Sequence, residues 1–154
     1  DELPPGALPP DLREAVARGV EGGFMSGIVL GYPTIDVEVR LIAARHNEAT
    51  DTEFAYEAAA AGAFDTACRA AGPVLLEPVM KLDVSAPTEF MGDVISGITV
   101  RGGLVQSVES RTGVEVVTAH APLEKLFGYS TALRSSTQGR GTYAMEFAYF
   151  APKT

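Results

Sequence analysis

The sequence predicts an α+β protein whose second half is a βαββαβ sandwich, and three observations carry that prediction. After residue 73 the chain reads strand, helix, strand, strand, helix, strand, with hydrophobic periods switching between two and about 3.6. Ala86-Pro87-Thr88-Glu89 with Met91-Gly92 is echoed by Ala121-Pro122-Leu123-Glu124 with Phe127-Gly128. Two βαβ halves related by a pseudo-twofold give such an internal echo, so the expected form is the split-βαβ, ferredoxin-like sandwich. Upstream of it, a strand-like run between two helical stretches makes the first 73 residues a separate α/β unit.

In that first unit, Pro9 and Pro10 precede Leu12, Val16, Gly19, Val20 and Phe24 at helical spacing. A helix from Asp11 to about Gly22 is expected, since proline suits a first helical turn and Gly22-Gly23 disturbs continuation. Gly31-Tyr32-Pro33 is a turn. From Thr34 to Leu41 the side chains alternate, with Ile35, Val37, Val39 and Leu41 on one face, which predicts a half-buried strand. Thr50-Asp51-Thr52-Glu53 has the form of a capping box, with the Thr50 hydroxyl accepting from the Glu53 amide. The next helix, Phe54 to Ala71, holds six alanines between Ala55 and Ala63 and stops at Gly72-Pro73. Cys68 within it reads as a small buried hydrophobe. Gly72-Pro73 divides the chain into residues 1–73 and 74–154.

In the second unit, Met80, Leu82 and Val84 alternate with Lys81, Asp83 and Ser85 before Ala86-Pro87 ends the strand. Thr88 to about Val100 has helical spacing through Phe90, Met91, Val94, Ile95 and Ile98, and Arg101-Gly102-Gly103 turns the chain. Leu104–Glu109 and Val114–His120 form a hairpin around Arg111-Thr112-Gly113. A helix from Leu123 to about Arg134 and a strand from Tyr143 to Tyr149 complete the pattern.

Composition narrows the function classes. With 46% hydrophobic and 21% charged residues among 154, the chain is globular and has no uncharged apolar run long enough to span a bilayer. One cysteine excludes an internal disulfide framework, and one cysteine with two histidines leaves few soft ligands for structural zinc. That usage, and a start at Asp1-Glu2-Leu3-Pro4-Pro5 without a leader pattern, favours an intracellular, cytoplasmic setting and an excised or processed end. The net charge of −8 argues against nucleic acid as a whole-surface partner. The charge is uneven, however: residues 1–73 carry 12 acids and 5 bases, whereas residues 74–154 carry 8 acids and 7 bases. The second unit has room for a local basic face.

Catalytic and cofactor signatures are absent. There is no Gly-x-x-x-x-Gly-Lys-Ser/Thr loop to cradle nucleotide phosphates, and Gly139-Arg140-Gly141 lacks the third glycine of a dinucleotide site and leads into a strand. His46 and His120 fall in different units, and no Gly-x-Ser-x-Gly elbow accompanies them. No catalytic residue, cofactor site or metal site is expected. Two polar loops remain. Ala43-Ala44-Arg45-His46-Asn47-Glu48 joins the expected strand to the capped helix, where a scaffold can present Arg45, His46, Asn47 and Glu48 to a partner. Arg134-Ser135-Ser136-Thr137-Gln138-Gly139-Arg140-Gly141-Thr142 combines two arginines with glycines that let backbone approach a phosphate. Each loop equally reads as an ordinary solvated connection, with Arg134 paired to a carboxylate inside the fold.

Several long strings then make the sequence recognisable. Leu76-Glu77-Pro78-Val79-Met80-Lys81-Leu82, Met91-Gly92-Asp93-Val94, Pro122-Leu123, Phe127-Gly128-Tyr129-Ser130-Thr131, Leu133-Arg134-Ser135, Thr137-Gln138-Gly139-Arg140-Gly141 and Met145-Glu146-Phe147 occur in that order. They resemble the last domain of bacterial-type elongation factor G. Leu8-Pro9-Pro10, Gly31-Tyr32-Pro33, the run Ile35 to Leu41 and the helix after Glu53 resemble the latter part of that family's preceding domain. The resemblance covers essentially the whole chain.

The resemblance implies residues 1–73 as the carboxy-terminal part of domain IV, a ribosomal-protein-like α/β fold with a βαβ crossover, and residues 74–154 as domain V. It implies a non-enzymatic portion of a ribosome-dependent GTPase that moves tRNA and mRNA, whose GTP and magnesium belong to an amino-terminal domain absent here. The implied partners are the ribosome, through rRNA, ribosomal proteins and tRNA–mRNA, and the GTPase domains of the same parent chain, with no membrane. The implied contacts are a decoding-region tip at Arg45, His46, Asn47 and Glu48, and rRNA contacts at Arg134, Gln138 and Arg140. The tip departs from the family pattern of an Asp-Gly-Ser-like turn before a functional histidine. Here the turn is Ala43-Ala44-Arg45, and ungapped matching places Asn47 at the histidine position with His46 beside it. A one-residue shift in the loop restores His46 to that role; the difference equally fits a divergent paralogue specialised in ribosome recycling, a poorly processive second copy or a ribosome-protection factor. A reading from another class is a freestanding ferredoxin-like regulatory or interaction module.

Overall fold

The computed structural model describes residues 1–154 and divides into two compact units, Asp1–Pro73 and Val74–Thr154.

The first unit is built on two helices, α1 (Pro10–Ser26) and α2 (Glu53–Ala71). Leu12, Ala15 and Gly19 form the buried stripe of α1, and Ala60 and Phe64 that of α2. The helices approach closely because Gly19 has no side chain: a Cβ there would lie 2.3 Å from the Glu57 carbonyl oxygen. Helix α1 runs one turn beyond the expected end at Gly22. Gly23 is not a breaker here but a seat for Phe64, whose Cδ1 would be 2.4 Å from a Cβ at that position, and Phe24 packs its ring 4.8 Å from the same phenyl. Arg18 reaches across to Glu53 at 2.9 Å and Glu57 at 3.3 Å. These pairs are exposed, so solvent screening leaves them little weight in stability.

Three further local expectations in this unit are corrected. The capping threonine is Thr52 rather than Thr50, its hydroxyl accepting from the Ala55 amide at 3.1 Å. The register moves by two residues because Asp51 is drawn away to the preceding loop, where its carboxylate accepts the Asn47 amide. Thr34–Leu41 joins no ladder, so the crossover implied for this unit has no paired strand among these residues. Alternation supplies a strand's side chains but not its hydrogen-bonding neighbour, and Ile35, Val37 and Val39 stay 41–43% exposed. A left-handed Asp36 (φ 57°) interrupts the run. At the other end of α2, Gly72 (φ 76°) provides the left-handed stop that the sequence indicates. Cys68 is half-buried rather than buried.

The second unit has the expected βαββαβ order: β1 (Leu76–Pro87), α3 (Met91–Val100), β2 (Leu104–Arg111), β3 (Val114–Pro122), α4 (Tyr129–Ser136) and β4 (Thr142–Pro152). The sheet order is β2-β3-β1-β4 with every neighbouring pair antiparallel. Each helix therefore connects two parallel strands that a third separates, which defines the split-βαβ arrangement. Strand β1 places Leu82, Val84 and Ala86 in the core and β3 places Val117, Ala119 and Ala121 beside them. Met91, Val94 and Ile98 of α3 and Tyr129 and Leu133 of α4 close that core. Fully burying a side chain such as Leu82 or Ile98 contributes roughly 1.5–3 kcal/mol.

Both expected helices of this unit begin later than their periodicity indicates. Thr88–Phe90 and Leu123–Leu126 are 3₁₀ turns, and Phe127-Gly128 separates the second from α4 through a left-handed Gly128 (φ 76°). A tighter turn after each Ala-Pro step satisfies the first amides while redirecting the axis. Strands β1 and β4 outrun their alternating cores. They pair from Leu76↔Pro152 to Ser85↔Thr142, with a bulge between Val79 and Met80 that a strict period of two does not reveal. No helix is long and apolar enough to cross a membrane.

Candidate functional site

The loop before α2 is organised by one carboxylate. Oδ2 of Asp51 accepts the Asn47 amide at 2.6 Å and the Tyr56 hydroxyl at 3.0 Å, and lies 3.0 Å from Nδ1 of His46. The Tyr56 hydroxyl also contacts the Arg45 carbonyl. Asn47 closes the turn: its carbonyl accepts the Thr50 and Asp51 amides at 3.1 and 3.0 Å, and its side-chain oxygen accepts the Ala49 amide at 3.1 Å. The Asn47 amide above all, then Tyr56 and His46, holds the Asp51 carboxyl below the usual carboxylate range against the opposing effect of desolvation. Desolvation and then Asp51 push the Tyr56 phenol up, so it remains a donor at neutral pH.

The four sequence-predicted loop residues therefore differ in what they offer. His46 turns one ring nitrogen inward to Asp51, and Asn47 spends its side-chain oxygen on the turn. Arg45 takes part in none of the ion pairs and Glu48 is exposed without one, so these two side chains are free to meet another molecule. Asp51 and Tyr56 organise this candidate loop and are not singled out by the sequence. Asp51 read as part of a cap and Tyr56 as one of the helix's side chains. The only available signal was two polar groups, five residues apart, next to a loop that needs backbone acceptors filled.

The second candidate loop closes α4 and opens β4. The Gly139 amide donates to the Arg134 carbonyl at 2.7 Å, and Gln138 (φ 51°) and Gly139 (φ 77°) are both left-handed. This is a Schellman-type stop with glutamine at the position glycine favours. Thr137 is fully buried and anchors the turn into β4. Arg140 pairs with Glu89 at 2.6 Å and lies 5.7 Å from the Phe90 ring centroid, joining the two Ala-Pro halves of the internal echo. Arg134 makes no ion pair, which corrects the alternative that it is neutralised inside the fold. Gln138 is exposed beside it. His120 is not at either site; its ring meets Tyr149 edge-on at 5.5 Å across the open face of the sheet.

No three His, Cys, Asp or Glu side chains gather in an arrangement that holds a metal. Each loop presents one guanidinium outside any ion pair, Arg45 in the first and Arg134 in the second, beside turn-forming backbone.

Comparison with known proteins decides the family. The profile described as elongation factor G, domain IV, matches residues 1–72, and that described as elongation factor G C-terminus matches residues 74–154. The chain belongs to the elongation factor G family. Elongation factor G 1 of Treponema denticola is 56% identical over 147 residues, which are 96% of this chain and 22% of that protein. A crystal structure of a Thermus thermophilus protein superposes with a TM-score of 0.89 at 32% identity, covering 97% of this chain and 23% of the other. The chain thus spans about a fifth of the length of these relatives. The α+β class holds for the chain as a whole, its one sheet lying in the second unit, and the elongation-factor kinship holds over both units.

Proposed function

We propose that the chain is the ribosome-engaging carboxy-terminal portion of a translational GTPase that promotes tRNA–mRNA movement. The observation that carries this reading is the match of both units, in the family's own order, across 1–72 and 74–154. Under it, Arg45, His46, Asn47 and Glu48 form the tip that meets the decoding region, and Arg134, Gln138 and Arg140 meet rRNA of the large subunit. The two units act as non-catalytic levers, and residues 1–73 and 74–154 correspond to the end of domain IV and to domain V. GTP and magnesium are held by parts of the parent outside these residues, which have neither a phosphate loop nor a metal-ligating cluster. The setting is the cytoplasm, where translating ribosomes are found.

Nucleotide state elsewhere in the parent biases the orientation of these units, and their RNA contacts favour the moved state of tRNA and mRNA. The test uses the full-length protein that carries this chain, comparing ribosome-stimulated GTP turnover with single-codon mRNA movement on pretranslocation ribosomes. Turnover with movement is the expected result. Turnover without movement replaces translocation by recycling or protection, and the absence of both returns the chain to a freestanding module.

A further inference from the structure

We propose that Asp51 and Tyr56 are positioning residues that hold the 45–48 loop in its partner-ready form, and that this clasp displays the Arg45 guanidinium, rather than the His46 or Asn47 side chain, to RNA phosphate. The inference rests on the functional reading above and adds which residue of the tip makes the contact and what presets it.

Three consecutive loop residues are tied to two side chains. Arg45 is held through its carbonyl, which shares the single Tyr56 hydroxyl proton with Asp51, His46 through its ring by Asp51, and Asn47 through its amide by the same Asp51 oxygen. Tyr56 sits on the first turns of α2, so the loop is referenced to a rigid element. A loop of this length left free must lose backbone entropy on binding, residue by residue as each is fixed. Three preset residues remove much of that cost, which appears as affinity without any additional contact. The ties also sort the side chains. His46 and Asn47 are committed inward to Asp51 and to the turn, whereas Arg45 has its charge and five donors uncommitted. Glu48 is the opposing exposed charge on the same turn, so it moderates attraction to phosphate.

The experiment uses the full-length protein and two readouts. Deuterium uptake of the peptide covering residues 43–51, measured without ribosomes, is expected to quicken by about tenfold in Tyr56→Phe and Asp51→Asn while other peptides are unchanged. Ribosome affinity is measured as a function of salt. Arg45→Ala is expected to weaken binding several-fold and reduce the salt slope by about one, with Arg45→Lys restoring the slope. Tyr56→Phe is expected to weaken binding in the parent yet add nothing in the Arg45→Ala background, and Glu48→Gln to strengthen it. Unchanged loop exchange overturns the clasp while leaving the functional reading intact. Additive losses from Tyr56→Phe and Arg45→Ala overturn the link between clasp and contact. A wild-type protein that does not bind ribosomes overturns the functional reading and the role of Arg45, and the exchange readout then still decides the clasp.

Discussion

Thr137 accepts the Gly141 amide at 2.8 Å through the same hydroxyl that donates to the Leu133 carbonyl at 2.7 Å. One buried group thus ends a helix and begins a strand, and it does so below the loop that carries Arg134 and Arg140. Gly141 admits it closely, since a Cβ there would stand 2.8 Å from the threonine oxygen.

Thr137→Val keeps the shape and removes the hydroxyl, leaving the buried Gly141 amide without its acceptor. The expected loss is about 1–3 kcal/mol of stability in the second unit, read as a lowered denaturant midpoint. Thr137→Ser should recover part of it. A valine variant as stable as the parent sinks this account of the loop.

Two glycines of α1 should respond with opposite signs. Gly22→Ala meets nothing within 4 Å, so helix propensity predicts a gain of up to about 1 kcal/mol. Gly19→Ala drives a methyl into the Glu57 carbonyl at 2.3 Å, and separating the helices should cost on the order of 1–3 kcal/mol. Thermal unfolding of the two variants side by side checks the contrast, and a stabilising Gly19→Ala contradicts the close approach.

Under the proposed RNA contact, Arg134 and Arg140 are unequal. Arg140 is already paired with Glu89, whereas Arg134 is free, so Arg134→Ala should weaken ribosome binding more. Glu89→Gln releases Arg140 and should raise affinity and steepen its salt dependence. Because the Glu89–Arg140 pair is exposed, breaking it should change stability by less than about 1 kcal/mol. Equal losses from the two alanine variants would contradict the assignment.

Tyr129 is 2% exposed and its hydroxyl has no hydrogen-bond partner. Burial pushes its phenol up to about 12, with Arg101 opposing. The folded state therefore keeps a proton that the unfolded chain releases near pH 10, so this contribution is whole below pH 10 and declines as pH rises toward 12. Tyr129→Phe should match or exceed the parent's stability at neutral pH and show a shallower fall across that alkaline window. Stability measured against pH for both proteins decides it, and parallel curves refute the buried phenol's part.

How much of the molecule was legible in the sequence depends on which interactions are local. The core face of β1 declared itself through Leu82 and Val84, because period two maps directly onto one side of a sheet. Gly23 misled because a glycine that accommodates Phe64 looks the same in sequence as one that ends a helix. Thr34–Leu41 misled because alternation carries no information about whether a neighbouring strand is present. At the candidate sites the exposed residues were visible as polar loops, but the group that organises the first of them was not. Asp51 gained its importance from three polar groups converging in space, and only one of them, Tyr56, lies beyond the loop itself.

The pairing of Leu76 with Pro152 has a consequence for how the second unit comes into being. Its first strand lies in the middle of the sheet and its last strand completes one flank, so synthesis delivers the centre long before its final neighbour. Until Thr142–Pro152 has left the exit tunnel, one long side of β1 has no permanent mate. The nascent chain can close the β2–β3 hairpin early, but the finished sheet must wait for nearly the last residue of the unit. A stop codon placed ahead of Tyr143 would therefore release a protein with a raw sheet edge, open to pairing with its own copies.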